Sequence, residues 1–110
     1  MDMAKSIKAA DVTKITMVCE AGIGSSLMSV NALKKKLKAA KVERVTVVHS
    51  AATQLASDAK LVICHKGMLK NVRSRAPEAV VVGFNFFLND PVFDQVVKAL
   101  VEGTEIVETI

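Results

Sequence analysis

Residues 15–26 read Ile15-Thr16-Met17-Val18-Cys19-Glu20-Ala21-Gly22-Ile23-Gly24-Ser25-Ser26. An apolar run typical of a buried strand ends at Cys19, and an amphipathic helical pattern begins near Ser25. Gly22 and Gly24 allow the backbone to turn tightly, so that successive N–H groups can point inward at an anion. A helix N-terminus adds unpaired donors and a partial positive charge, which favour a thiolate over a thiol. The stretch therefore predicts a strand–loop–helix anion site with Cys19 as its nucleophile.

Strands and helices alternate along the rest of the chain. Apolar runs rich in β-branched residues predict strands over Lys14–Cys19, Arg44–His49, Lys60–Cys64 and Ala79–Gly83. Helical patterns cover residues 25–40, 67–75 and 91–103, and a short turn covers 51–57. Asp90 is the expected N-cap of the last helix, Pro91 its first residue and Gly103 its end. This alternation predicts an α/β fold, a parallel sheet with helices on both faces.

Chemically useful residues follow several of the predicted strands. Cys19, His49 and the Cys64-His65 pair all fall at carboxyl ends. In parallel α/β sheets, ligands bind beyond those ends, near the point where the strand order reverses. The pattern therefore places the candidate site at one edge of the sheet, around Cys19.

Length and composition are typical of a single domain. The chain has 110 residues, and we assign residues 1–12 to a flexible lead-in and 13–110 to the folded domain. No apolar run is long enough for a membrane span, and the first residues lack the apolar segment of a signal peptide. Two cysteines are few for a secreted domain, so we expect a reducing cytoplasm.

The net charge of +4 comes largely from lysines between residues 34 and 41. Lysines at helical spacing are usually a solvated helix face, and Trp and Tyr are absent, so nucleic-acid binding is not expected. No residues have metal-ligand spacing, and we expect neither a metal nor a cofactor. We interpret Cys64 as a small buried hydrophobe and His49 as structural. The side chains of Phe84, Phe86, Phe87 and Leu88 form either an exposed docking patch or part of the core, and we expect core packing for at least two of them.

The glycine loop resembles that of low-molecular-weight tyrosine phosphatases. Ser25 and Ser26 stand where that loop has an arginine and then a serine. Without the guanidinium there is no bidentate clamp for a transferring phosphoryl group. This departure favours holding a phosphate on sulfur over hydrolysing it rapidly.

A second resemblance covers nearly the whole predicted domain. The segment from Val18 to Met28, together with Leu33-Lys34-Lys35-Lys36, is similar to the active-site segment of IIB components of the bacterial phosphoenolpyruvate-dependent sugar phosphotransferase system, most of all the mannitol type. The similarity continues through Val47–Ala51 and Leu61–Lys66. Glu20, Ile23 and Ser29 depart from the mannitol-type pattern of aspartate, methionine and glycine.

This resemblance implies a three-layer sandwich with four parallel strands in the order 2-1-3-4. It implies that Cys19 takes phosphate from a IIA phosphohistidine and passes it to a sugar or polyol bound by the membrane IIC component, so that the chain is a phosphotransferase component peripheral to the inner membrane face. The phosphate-binding residues are then Glu20, Ala21, Gly22, Ile23, Gly24, Ser25 and Ser26. His65 and Lys66 are candidate accessory residues.

Two alternative functions stay open from the sequence. A phosphatase-like enzyme would use Cys19 to hydrolyse phosphoesters. A regulatory domain would keep the fold and receive phosphate only as a signal.

Overall fold

The computed structural model describes residues 5–19, 24–51, 54–85 and 91–108. Its strands are β1 (Ser6–Lys8), β2 (Lys14–Cys19), β3 (Thr46–Ala51), β4 (Leu61–His65), β5 (Val80–Phe84) and β6 (Glu105–Val107). Its helices are α1 (Gly24–Ala39), α2 (Leu69–Arg75) and α3 (Pro91–Glu102), with 3₁₀ turns over Ala9–Asp11 and Lys66–Met68. The predicted alternation of strand and helix is confirmed.

The central sheet is parallel, and its strands lie in the order β3-β2-β4-β5. Counted among these parallel strands alone, this is the expected order 2-1-3-4. The bounds differ in detail, since β3 begins at Thr46 rather than Arg44. The Arg44 side chain donates from Nη1 to the carbonyl oxygen of Val12 at 2.9 Å. β4 ends at His65 rather than Cys64, which brings His65 to the edge of the sheet.

Helices cover both faces of this sheet, as predicted. Ile15 and Met17 of β2 belong to one buried cluster, which also contains side chains of α1 and α3. Val18 of β2 belongs to a second cluster on the opposite face, with Val72 of α2. Successive side chains of a strand point to opposite faces, so each central strand contributes to both layers. The result is a three-layer sandwich with an apolar sheet in the middle.

The helix ends follow local sequence signals. α3 starts at Pro91, and Gly103 follows its last residue with a φ of 74°. The N–H of Thr104 donates to the carbonyl oxygen of Ala99 at 3.0 Å, which is the Schellman pattern. α1 ends in the same way, with Val42 donating to Leu37 at 2.8 Å, but a lysine, Lys41, has the positive φ of 61°.

The assignment of residues 1–12 to a lead-in is corrected for the part that the structure describes. β1 pairs with β6 in an antiparallel ribbon in which Ile7 faces Ile106. Ala9 and Val12 are fully buried against the main core. A three-residue strand is too short to show periodicity, so the sequence pattern did not reveal it. The folded unit includes residues 6–12.

Candidate functional site

The carboxyl ends of the parallel strands bring the candidate residues together. β2 lies between β3 and β4, and Cys19 is its last residue. In the strand register Cys19 pairs with Ala51, and its neighbour Val18 pairs with Cys64. The backbone of Cys19 is therefore flanked by the ends of two strands. This is the edge at which ligands of parallel α/β sheets bind.

Helix α1 begins a short distance after Cys19, at Gly24. The predicted loop residues outside the described part of the chain are Glu20, Ala21, Gly22 and Ile23. Gly24, Ser25 and Ser26 form the first turn of α1, which contains no acidic residue, whereas Lys36 and Lys38 lie in its last turn. No carboxylate of the first turn itself therefore offsets the positive end of the helix dipole. The N-terminus of α1 is thus suited to an anion.

His65 ends β4 at the same sheet edge and is half-buried. Its Nδ1 accepts a hydrogen bond from the N–H of Gly67 at 3.1 Å. Its ring packs edge-on against Phe84, with 5.8 Å between ring centroids and 89° between planes. Phe84 in turn contacts Phe93 of α3, with ring centroids 5.3 Å apart. The imidazole is therefore held by a backbone donor and by an aromatic core contact.

The turn after His65 depends on a glycine in the adjacent strand. Gly83 of β5 pairs with Cys64, next to His65. A Cβ at residue 83 would lie 2.9 Å from Cγ of Lys66 and 3.2 Å from Cδ2 of Leu69. Gly83 therefore lets this turn approach the sheet closely. Sequence reasoning missed this role, although a glycine inside an apolar strand signals a close approach.

Lys66 lies on the solvent side of this turn. It begins the 3₁₀ turn that follows β4, and it is exposed. The structure brings His65 and Lys66 to the edge where β2 ends, as the strand pattern predicted. Their contact with a phosphate stays a prediction.

Cys64, in contrast to Lys66, is shielded from solvent. Its side chain is fully buried in the apolar cluster under α2 and carries a free thiol. Burial raises its pKa to about 12, and the charge of Arg73 offsets only part of that effect. The thiolate is the reactive form of cysteine, so this thiol is inert near neutral pH. The interpretation of Cys64 as a buried hydrophobe is confirmed.

The aromatic residues, His49 and the lysines of α1 were also interpreted from the sequence. Phe84 is buried in the core, whereas Phe86, Phe87 and Leu88 lie outside the described residues. The His49 side chain is exposed on β3, and its structural role stays a prediction. The lysines at 34, 35 and 38 are exposed on α1 and form a solvated face. Lys36 instead makes an ion pair with Asp94 of α3 at 2.8 Å. The predicted N-cap, Asp90, lies outside the described residues.

Within the ranges that the structure describes, no helix combines the length and apolar character needed to cross a bilayer.

Comparison with known proteins identifies the family. Residues 14–99 match the family model described as "PTS system, Lactose/Cellobiose specific IIB subunit". A mannitol-specific EIICB component of Bacillus subtilis is 34% identical over 97 residues, which is 88% of this chain and 20% of that protein. A mannitol-specific EIICBA component of Buchnera aphidicola is 35% identical over 92 residues, which is 84% of this chain and 15% of that protein.

A third relative gives the same result. The mannitol-specific EIICB component of Staphylococcus saprophyticus is 35% identical over 99 residues, which is 87% of this chain and 20% of that protein. The chain thus spans a fifth or less of the length of these relatives. The match of the family model covers most of the chain, including β2 to β5 and the start of α1. The chain therefore belongs to the family of IIB subunits of the phosphotransferase system.

Proposed function

We propose that this chain is a phosphocarrier in which Cys19 receives a phosphoryl group from a IIA phosphohistidine and passes it to a sugar or polyol held by a membrane IIC component. One observation carries the proposal. In a chain of the IIB family, a cysteine ends the strand β2 at the ligand-binding edge, and α1 begins soon after it in sequence, at Gly24.

Two substitutions at phosphorus make up the relay. In the first, the Cys19 thiolate attacks the phosphorus, an S–P bond forms and the N–P bond breaks. The bonding pair stays on the histidine nitrogen, which takes up a proton. In the second, a hydroxyl oxygen of the acceptor attacks, an O–P bond forms and the S–P bond breaks. The hydroxyl proton is released, and the electron pair returns to sulfur as the thiolate.

The protein's contribution is to stabilise negative charge at this edge. The N-terminus of α1 presents unpaired N–H groups and a partial positive charge, and no acidic side chain of its first turn competes. Such a field lowers the pKa of a nearby thiol and favours the phosphoryl oxygens in the transition state. Backbone N–H groups of residues 20–26 would surround those oxygens.

The similarity of the chain to transport proteins favours a role in transport over a phosphatase or a regulatory domain. The matched relatives are named mannitol-specific components, and their names combine IIC with IIB. A polyol such as mannitol is therefore the first acceptor to test. The phosphatase alternative lacks the arginine that clamps a phosphoryl group, since Ser25 occupies its position.

The test is phosphoryl transfer to the purified chain, measured by intact mass. The chain is incubated with phosphoenolpyruvate, the general phosphotransferase proteins and a mannitol-type IIA. We expect the mass of one phosphoryl group to be added to the wild type and to Cys64→Ala, but not to Cys19→Ser. Subsequent addition of membranes containing a mannitol-type IIC and mannitol should remove the label.

Each alternative gives a different result. Label on a histidine, or equal labelling of Cys19→Ser, contradicts the relay through Cys19. Rapid hydrolysis of an aryl phosphate by the wild type supports the phosphatase instead. Stable label that no IIC and polyol can remove supports the regulatory domain.

A further inference from the structure

The orientation of His65 fixes which of its ring nitrogens carries a proton. Its Nδ1 accepts the N–H of Gly67, so the Nδ1 lone pair is in use. A neutral imidazole has one N–H, and here it must be on Nε2. In the neutral ring, the N–H donor is therefore Nε2, the nitrogen that does not bind Gly67.

The position of His65 in β4 brings this residue to the edge where β2 ends. β2 and β4 are adjacent parallel strands, and Val18 pairs with Cys64. Cys19 and His65 are the next residues, and each is the last of its strand. Adjacent strands lie about 4.8 Å apart, so the backbones of Cys19 and His65 are neighbours at this edge.

The surroundings hold the ring in one orientation. Phe84 packs against it edge-on, and Phe84 is itself buried against Phe93. The turn that supplies the Gly67 donor approaches β5 closely because residue 83 is glycine. A donor that is oriented before the reaction loses little entropy when charge develops, and so stabilises a transition state efficiently.

We propose that His65 donates a hydrogen bond from Nε2 to the anion on Cys19, which is the thiolate sulfur before transfer and a phosphoryl oxygen after it. The hydrogen bond to the phosphorylated form of Cys19 rests on the proposed function, whereas the hydrogen bond to its thiolate does not. The thiolate state exists without any partner protein, so the role can be tested independently of transfer.

Two variants separate the Nε2 donor from the hydrogen bond that His65 accepts from Gly67. In His65→Asn, the side-chain oxygen can still accept the Gly67 N–H, as asparagine does two residues along the chain in an Asx turn. That variant lacks a donor at the distance of Nε2. In His65→Gln, the longer side chain returns an N–H donor to about the distance of Nε2. Unfolding in urea, followed by circular dichroism, controls for stability in both variants.

The first readout is alkylation of Cys19 by iodoacetamide at neutral pH, with the modified cysteine identified by peptide mapping. A hydrogen bond to a charged acceptor is a strong one, so we expect about tenfold slower alkylation in His65→Asn. In His65→Gln, at least part of the wild-type rate should return. Equal rates in all three proteins overturn the proposal, whether or not a IIA phosphorylates the chain.

The second readout is the tautomer of His65 in a long-range ¹H–¹⁵N spectrum. The chain contains two histidines, so His65→Asn assigns the signals, and His49 serves as an internal reference. We expect the Nε2–H form, and an Nδ1–H form contradicts the proposal. If the wild type is phosphorylated, the rate of transfer from IIA should fall in His65→Asn and recover in His65→Gln. If the wild type accepts no phosphate but the alkylation rates differ as expected, the proposed function is refuted and the role of His65 is supported.

Discussion

At the scale of single residues, the two cysteines show how strand position sets reactivity. Both lie near the carboxyl ends of adjacent strands, but Cys64 is one place before the end of β4 and Cys19 is the last residue of β2. The Cys64 side chain therefore points into the apolar layer under α2. Desolvation disfavours its thiolate, and its reactivity is suppressed. Composition alone does not distinguish the two thiols.

The raised pKa of Cys64 predicts a pH-dependent stability. Its pKa is about 12 in the folded protein and 9.0 for an ordinary thiol. Below that ordinary value, both states keep the proton and stability is unaffected. As the pH rises from there toward the folded pKa, only the unfolded chain loses its proton, so unfolding is favoured by about 1.4 kcal/mol per pH unit.

The comparison that tests this is between wild type and Cys64→Ala, in reducing buffer near pH 8 and near pH 10. The chain lacks Trp and Tyr, so urea unfolding is followed by far-ultraviolet circular dichroism. We expect the wild type to lose more stability than Cys64→Ala over this interval. Parallel losses in the two proteins would show that Cys64 is not desolvated. Lysine titration affects both proteins and cancels in the difference.

At the scale of secondary-structure elements, α1 and α3 end with the same pattern of backbone hydrogen bonds. α3 uses glycine at its carboxyl end, where a left-handed residue is required. α1 closes with the same hydrogen bonds but has Lys41 in the left-handed conformation, which is costly for a residue with a Cβ. The chain that follows leads to Val45 and β3, so this end sets the start of the edge strand.

Replacing Lys41 by glycine should therefore stabilise the fold, by about 1 kcal/mol, because glycine adopts the left-handed conformation without strain. Lys38→Gly is the matched control. It removes the same charge from an exposed position within the last turn of α1, where glycine costs about 1 kcal/mol relative to a good helix former. Urea unfolding should move the two midpoints in opposite directions. A loss of stability in Lys41→Gly would refute the assignment of strain.

At the scale of the whole molecule, the two ends of the described chain meet and cover one side of the core. β1 and β6 form a ribbon separate from the central sheet, and Ile106 is buried in the cluster shared with α1 and α3. The N–H of Ala9 donates to the carbonyl oxygen of Thr104 at 2.9 Å, which adds a backbone hydrogen bond next to the two strands of the ribbon. The ribbon therefore belongs to the domain that positions the site.

If the ribbon is part of the cooperative fold, Ile106→Ala should destabilise the whole protein by about 2–4 kcal/mol, as deletion of buried methyl groups does. Val107→Ala is the neighbouring control, because this side chain is 52% exposed and its loss should change stability by less than about 0.5 kcal/mol. Both are measured by urea unfolding. Equal small effects would mean that the ribbon contributes little to the stability of the domain.

Much of the central architecture was predictable because it depends on local patterns. Apolar, β-branched runs predicted β2 to β5, and Pro91 and Gly103 predicted the ends of α3. The β1–β6 ribbon was missed because two three-residue strands contain too few residues for any periodicity. Its stability comes from pairing across the length of the chain, and a local pattern cannot report that.

Residue order and periodicity were enough to predict the class of the fold, the position of Cys19 between a strand and a helix, and the similarity to IIB subunits. These depend on the order and periodicity of residues, which a linear chain displays directly. The packing of the folded chain was needed to show that Cys64 is desolvated, that Gly83 lets the turn after β4 approach the sheet, and that His65 contacts Gly67 and Phe84. Each of these depends on which atoms of distant segments come into contact, and that is fixed when the strands pair and the layers pack.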